Sequence, residues 1–284
     1  MTVAQMLQTY REQLLKIYDA AEVRAITNLV FENVLQLNML KLEMSRFQLL
    51  TTYQREVLEN NLARLLRHEP VQYVLGIADF MGMKLMVNQA TLIPRPETEE
   101  LVHQVVEEYG ADFNGNLLDV GTGSGCIALG LKKMLPNANV FACDISTAAL
   151  DVAQKNAVNL HLNITFFQCN VLENFNAHVS FDAVVSNPPY IPESETKQMD
   201  KNVVHFEPHS ALFVPNESPL IFYEAIAEKC RTGWLKKGGK LFVETHFQKA
   251  QEVADLLAAL RFDNIHIKSD FFGKERMVQA DLLT

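Results

Sequence analysis

An α/β fold with a largely parallel sheet, preceded by a small helical bundle, follows from two features of the chain. Up to Arg67 the apolar residues recur at helical spacing with neither Gly nor Pro before Pro70, and beyond about residue 92 short apolar runs alternate with helical stretches. A third feature, glycines at 121, 123 and 125 directly after the first of those runs, marks a ligand-binding edge of the sheet.

The elements follow in order. Leu14, Ile17 and Tyr18, then Val57, Leu58, Leu62 and Leu65, are spaced for one face of helices, so residues 1–70 are assigned to a helical domain. In residues 71–91 the β-prone pieces Tyr73–Leu75 and Lys84–Val87, separated by Gly76 and Gly82, predict a linker containing a hairpin. The catalytic domain is assigned to 92–284, where Leu92-Ile-Pro-Arg-Pro-Glu-Thr-Glu99 opens a helix. Strands are predicted at 116–120, 139–144, 164–168, 183–186 and 240–244, with helices at 126–135, 146–159 and 219–231. The tail, 264–268 followed by 276–281 across Gly273, predicts a closing hairpin and therefore one antiparallel edge.

Composition sets limits on function. A chain of 284 residues exceeds the usual single-domain size, and 48% hydrophobic with 21% charged residues is ordinary globular composition. No apolar run approaches a membrane span and the first residues lack the apolar core of a signal peptide, so a cytoplasmic protein without membrane contact is expected. Cys126, Cys143, Cys169 and Cys230 are widely spaced, which predicts reduced thiols and no zinc site. Residues 1–75 hold eight basic and eight acidic residues, so the net charge of −9 lies entirely in the remainder, a balance that argues against a nucleic-acid substrate.

Leu117-Leu-Asp-Val-Gly-Thr-Gly-Ser-Gly125 is a strand entering a glycine turn, followed at once by a helical run. Gly121, Thr122, Gly123, Ser124 and Gly125 would let a ligand approach the main chain closely. The third glycine comes two residues after the second, instead of the three of a dinucleotide fingerprint, and no P-loop Lys-Ser/Thr pair follows. Asp144 ends the next strand, followed by Ile145, where a carboxylate can accept both hydroxyls of a ribose; its alternative role is a helix N-cap. Together these predict S-adenosyl-L-methionine as cofactor, with Asp119 orienting the loop or reaching the cofactor amino group through water, and with Asn170 and Val171 beside the adenine.

Val184-Val-Ser-Asn-Pro-Pro-Tyr190 follows the fourth strand, at the same edge. A carboxamide nitrogen is a poor nucleophile because its lone pair is delocalised, so its methylation needs imposed geometry and polarisation. The Asn187 side-chain oxygen and the Pro188 backbone oxygen can each accept one N–H of an NH2 group; Pro189 stiffens the loop and Tyr190 supplies a flat apolar wall. His205, His209 and His246 show no ligand spacing and are assigned no chemistry.

With Glu69-Pro-Val-Gln-Tyr73, Ile93-Pro-Arg-Pro-Glu-Thr-Glu99, Glu207-Pro, Ala211-Leu-Phe213 and Gly273-Lys-Glu-Arg276 added to these motifs, the chain closely resembles the HemK/PrmC family, the glutamine methyltransferases of peptide-chain release factors. The resemblance implies a seven-stranded, Rossmann-like S-adenosylmethionine methyltransferase domain, a helical domain that helps hold a class I release factor, and a Gly-Gly-Gln loop as substrate. It also implies Arg95 and Thr98 beside the cofactor, Asn187 touching both cofactor and substrate, and Asn187–Tyr190 holding the glutamine. Two departures stand out: Asn170 replaces the usual acidic residue, with Val171 where an aromatic is frequent, and Glu244-Thr-His246 replaces Glu-Ile-Gly. Competing readings are an adenine-N6 nucleic-acid methyltransferase, which would need a basic groove, and a non-catalytic scaffold, against which the intact Asn187–Tyr190 speaks.

Overall fold

The computed structural model describes residues 1–173 and 179–283, which form two compact units. The first comprises Met1–Ile77 together with Asp200–Phe206, the second Ala78–Met199 and Glu207–Thr284. No described helix is long and apolar enough to cross a membrane.

The first unit contains α1 (Val3–Leu14), α2 (Ala20–Leu35), α3 (Met39–Met44), α4 (Thr52–Leu65) and α5 (Val71–Leu75). Thr2 and Thr51 close capping boxes with Gln5 and Gln54, and Asp19 accepts from two backbone N–H groups, so each long helix starts at a side chain that satisfies its orphan donors. Met6, Tyr10, Leu14, Val30, Phe31, Leu58 and Leu65 form its core, and the Tyr10 hydroxyl donates to the Leu58 carbonyl across 2.6 Å.

Here the structure corrects the hairpin boundaries. Tyr73–Leu75 is helix, not strand: Arg64 donates to the carbonyls of Tyr73 and Val74 while paired with Glu69, and Gly76 at φ 71° terminates the turn in the left-handed region. Those satisfied carbonyls, and burial of Tyr73 and Val74, outweigh β propensity in a five-residue piece. The hairpin is β1 (Ile77–Phe80) with β2 (Met83–Met86).

The second unit continues with α6 (Pro96–Tyr109), β3 (Asn116–Val120), α7 (Cys126–Met134), β4 (Asn139–Asp144), α8 (Thr147–Asn159), β5 (Thr165–Gln168), β6 (Phe181–Ser186) and β7 (Ile191–Pro192). After α9 (Lys201–Phe206), which belongs to the first unit, come β8 (Phe213–Val214), α10 (Ile221–Lys229), β9 (Leu235–Glu244), α11 (Ala250–Ala259), β10 (Phe262–Ser269) and β11 (Glu275–Leu282). The 7-stranded sheet has order β10-β11-β9-β6-β3-β4-β5; β11 runs antiparallel to β9 and β10, and the other pairs are parallel. The sequence reading of a mixed sheet closed by a hairpin therefore holds, but the antiparallel strand is β11, inside the sheet between β9 and the edge strand β10, not the edge itself.

Helices cover both faces of that sheet. One face buries Tyr223, Ile226, Trp234 and Val253 against Leu118, Val184 and Leu241; the other buries Leu101, Val105, Leu129 and Leu131 against Leu117, Val185 and Phe242. Cover on both faces explains why β3 and β6 read as continuous apolar runs rather than alternating ones. It also leaves the carboxyl ends of β3, β4, β6 and β9 as the edge where loops can gather polar groups.

Candidate active site

A cavity of about 310 Å³ opens at that edge, within the size range of small-molecule sites. Its walls include Gly121, Gly123, Asp144, Ile145, Asn170 and Val171. Asn187, Pro188 and Pro189 also line it, so most residues singled out in the sequence converge on one place. Thr122, Ser124, Gly125, Tyr190, Thr98 and Arg95 lie outside its lining.

The glycine turn is held from beneath. Asp119, fully buried at the end of β3, accepts from the Thr122 hydroxyl at 2.6 Å and from the Ala128 N–H at 3.1 Å, which joins the turn to the first residues of α7. Of its two expected roles, orienting the loop is the one these contacts perform. Burial pushes its carboxyl up to about 7, opposing the two hydrogen bonds that lower it. Asn156, buried on α8, was missed in the sequence. Its amide donates to the Ser124 carbonyl at 2.9 Å and exchanges hydrogen bonds with the Met86 backbone, pinning the turn to the hairpin.

Asp144 accepts the Gly123 N–H and the Ser146 N–H, both at 2.9 Å, one on each carboxylate oxygen. The N-cap of α8 is Ser146 itself, so Asp144 is left facing the cavity rather than capping. Burial raises its carboxyl above the ordinary value, against backbone hydrogen bonds from Ser146, Gly123 and Ile145. Asn170 accepts from the Leu172 N–H and donates to Glu173, presenting its edge beside Val171 and Leu172 on the cavity wall.

The loop after β6 supplies the opposite wall. Ser186 is buried and donates to the Val120 carbonyl, fixing the exit of β6 against β3. Asn187 donates its Nδ2 to the Thr98 hydroxyl at 3.1 Å, leaving Oδ1 as the acceptor for a ligand. Thr98 is therefore placed behind Asn187, not on the cavity surface. Tyr190 packs on the apolar cluster around Tyr223 and Leu220, and burial raises its phenol far above the ordinary value. Its ring centroid lies 6.0 Å from that of His246, a loop residue after β9. Arg95 pairs with the buried carboxylate of Glu207 at 2.7 Å, and Glu207 also accepts the Ile93 N–H. That pair ties the Ile93–Glu99 stretch to the Glu207–Phe213 loop, whose Pro208, Ser210, Ala211 and Phe213 line the cavity.

These residues fit an S-adenosylmethionine-sized ligand on two counts. A Cβ added at Gly121 or Gly123 would meet no atom within 4 Å, so the turn forms an open cradle where a ligand can lie against the main chain. Asp144 offers a carboxylate whose oxygens each retain a lone pair, beside apolar Ile145, Val171 and Leu172 for a flat base.

Comparison with known proteins identifies the family. The model of the methyltransferase small domain matches residues 97–206, and that of the PrmC N-terminal domain matches residues 5–76. A release factor glutamine methyltransferase of Flavobacterium psychrophilum is 40% identical over 283 residues, 97% of this chain and 99% of that one. Another of that description, from Bacteroides thetaiotaomicron, is 41% identical over 272 residues, 95% of this chain and 97% of that one. Among solved structures, a methyltransferase from Pyrococcus furiosus, 15% identical, superposes with a TM-score of 0.54 over 80% of this chain and 100% of that one, a likeness of fold. With identity of this level running almost end to end, the chain belongs to the release factor glutamine methyltransferase family, enzymes that use S-adenosylmethionine.

Proposed function

We propose that the chain methylates the side-chain amide nitrogen of the glutamine in the Gly-Gly-Gln loop of class I peptide-chain release factors. The observation that carries this reading is the Asn187 amide, held by its nitrogen at the rim of a cavity floored by the glycine turn. Gly121, Gly123, Asp144, Ile145, Asn170 and Val171 would hold S-adenosylmethionine, which when bound would supply an electrophilic methyl group. Asn187 Oδ1 and the Pro188 carbonyl accept the two N–H bonds of the substrate NH2, which orients its nitrogen and raises its electron density. As positive charge develops on that nitrogen its N–H bonds become stronger donors, so both acceptors hold the transition state more tightly than the ground state. The pyrrolidine rings of Pro188 and Pro189 keep the loop stiff, and Tyr190 backs it with an apolar wall. Once methylated, the nitrogen loses its proton readily to solvent.

Recognition of the whole protein substrate is assigned to the helical unit. Leu40, Met44 and Phe47 are 72%, 80% and 89% exposed on and just after α3, an apolar surface that a protein partner would cover. The net charge of −9 supports a protein rather than a nucleic-acid substrate, and a release factor as substrate supports a cytoplasmic enzyme working beside the translation machinery. Incubation with methyl-labelled S-adenosylmethionine and, separately, release factor and double-stranded DNA tests the reading. Label should appear on the release factor alone, and label on DNA alone would overturn it.

A further inference from the structure

Glu244 is a buried carboxylate that the proposed chemistry does not use. It ends β9, is 1% exposed, and enters no ion pair within 4.0 Å among the described residues. Burying a carboxylate without a cation is costly, and a leucine or glutamine at the end of this strand would avoid the cost. Its contacts say what the carboxylate accomplishes. The Thr98 hydroxyl, itself 2% exposed on the first turn of α6, donates to Glu244 Oε2 at 2.7 Å. The same hydroxyl oxygen accepts the Asn187 Nδ2–H at 3.1 Å, so Asn187 reaches Glu244 through Thr98.

We infer that Thr98 and Glu244 are positioning residues for methyl transfer: a directional hydrogen-bond chain from Asn187 to Thr98 to Glu244 locks the Asn187 amide with its oxygen toward the substrate nitrogen. The inference rests on the role proposed for Asn187. Its logic is donor and acceptor counting. An ionised carboxylate only accepts. A hydroxyl carries one proton, so once that proton is given to Glu244 the oxygen can only accept. Only the NH2 end of Asn187 can then face Thr98, and the carbonyl end is turned outward. Without the chain the two orientations of the amide are nearly isosteric, and the wrong one sets a donor against the substrate NH2. The chain also polarises the amide, because a negative charge two hydrogen bonds away increases the electron density on Oδ1.

The ionisation state of Glu244 sets the direction of the chain. Burial pushes its carboxyl up to about 7, against the hydrogen bond from Thr98, the attraction of Arg276 on β11 and a smaller favourable influence of the nearby Asn187 amide, with Glu97 on α6 raising it further. Tyr190 and Tyr223 face it as neutral phenols: burial raises both, and the negative charge of Glu244 adds to the rise. Above about pH 7 the carboxylate accepts and the chain points one way; below it the carboxyl can donate to Thr98 and the direction is lost.

The test is single-turnover methyl transfer to whole release factor at saturating cofactor, with cofactor affinity measured in parallel by calorimetry. Thr98→Val, which keeps the shape and removes the hydroxyl, should lower the rate roughly 10-fold or more while leaving cofactor affinity within about twofold. Thr98→Ser should restore it to within about threefold. In an Asn187→Ala background Thr98→Val should cost nothing further, because the amide it orients is gone. Glu244→Gln should flatten the fall in rate below about pH 7 that wild type shows. A wild-type rate in Thr98→Val, failure of serine to rescue, or full additivity with Asn187→Ala would overturn the chain. A fast Asn187→Ala enzyme would instead remove the role of Asn187 on which it rests, whereas a slow Asn187→Ala with a fast Thr98→Val removes the chain alone. If Thr98→Val does not fold, Glu244→Gln decides: an unchanged rate and pH profile overturn the inference.

Discussion

Adding one methyl group at two neighbouring glycines should separate what the turn does for packing from what it does for the cofactor. Gly123 and Gly125 both have positive φ, 55° and 85°, where a side chain costs about 1–2 kcal/mol. An alanine Cβ at Gly123 would meet nothing within 4 Å, so the conformational cost is the whole cost. At Gly125 it would sit 3.1 Å from Ala153 Cβ, 3.2 Å from Leu129 Cδ1 and 3.4 Å from Ala153 Cα, against α8 and α7. Overpacking of that kind adds about 1–3 kcal/mol, so Gly125→Ala should lose about 2–5 kcal/mol in urea unfolding against about 1–2 for Gly123→Ala. Cofactor binding should follow the reverse order. Gly123 lines the cavity and Gly125 does not, so calorimetry should find at least a 10-fold loss for Gly123→Ala and no more than about threefold for folded Gly125→Ala. Equal losses of stability in the two variants, or wild-type cofactor affinity in Gly123→Ala, would refute the cradle.

Further outcomes follow from the same geometry. Asp144→Ala should weaken cofactor binding by about 1.5–3 kcal/mol, the scale of lost charge-assisted hydrogen bonds, and calorimetry showing wild-type affinity would remove the ribose assignment. Asp119 holds its proton more tightly folded than unfolded, so its contribution to stability is complete below the ordinary value of 3.8 and is lost as pH rises through about 7. A rise of that size corresponds to roughly 4 kcal/mol, so unfolding between about pH 4 and pH 7 should show a loss of stability that Asp119→Asn lacks; parallel pH profiles would contradict it. Replacing exposed Leu40, Met44 and Phe47 by serine should leave stability unchanged within about 0.5 kcal/mol while raising KM for whole release factor, with no effect on a short peptide carrying the glutamine loop. An equal loss on both substrates would show that the α3 surface takes no part in recognition.

Where the sequence signal was local, it was sufficient. Five sheet strands announced themselves by apolar runs and the last two by a hairpin pattern, and the glycine turn, Asp144 and Asn187–Pro189, which contribute to one cavity, were recognisable because they sit within a few residues of a strand end. Tyr73–Leu75 was misread because its helix depends on Arg64 satisfying two carbonyls nine and ten residues away, which no five-residue window contains. Asn156 and Glu244 were missed for a similar reason. Asn156 acts on the backbone 32 and 70 residues away, and Glu244 reaches Thr98 across 146. A signal for Glu244 was present, an acidic residue ending an apolar strand on the edge where Asp144 does the same. The grouping of Asp200–Phe206 with the helical unit was likewise illegible, since its own sequence says only that it can be a short helix.

The central claim, that Asn187 presents its amide oxygen to a glutamine NH2 beside the cofactor, is tested most directly by mass spectrometry of release-factor peptides after incubation with the enzyme and S-adenosylmethionine. Wild type should place a single methyl group on the glutamine of the Gly-Gly-Gln loop, and Asn187→Ala, with cofactor binding shown intact, should do so at least about 10²-fold more slowly. Methylation of that glutamine at the wild-type rate by Asn187→Ala, or methylation by the wild-type enzyme at a residue other than glutamine, would contradict the account.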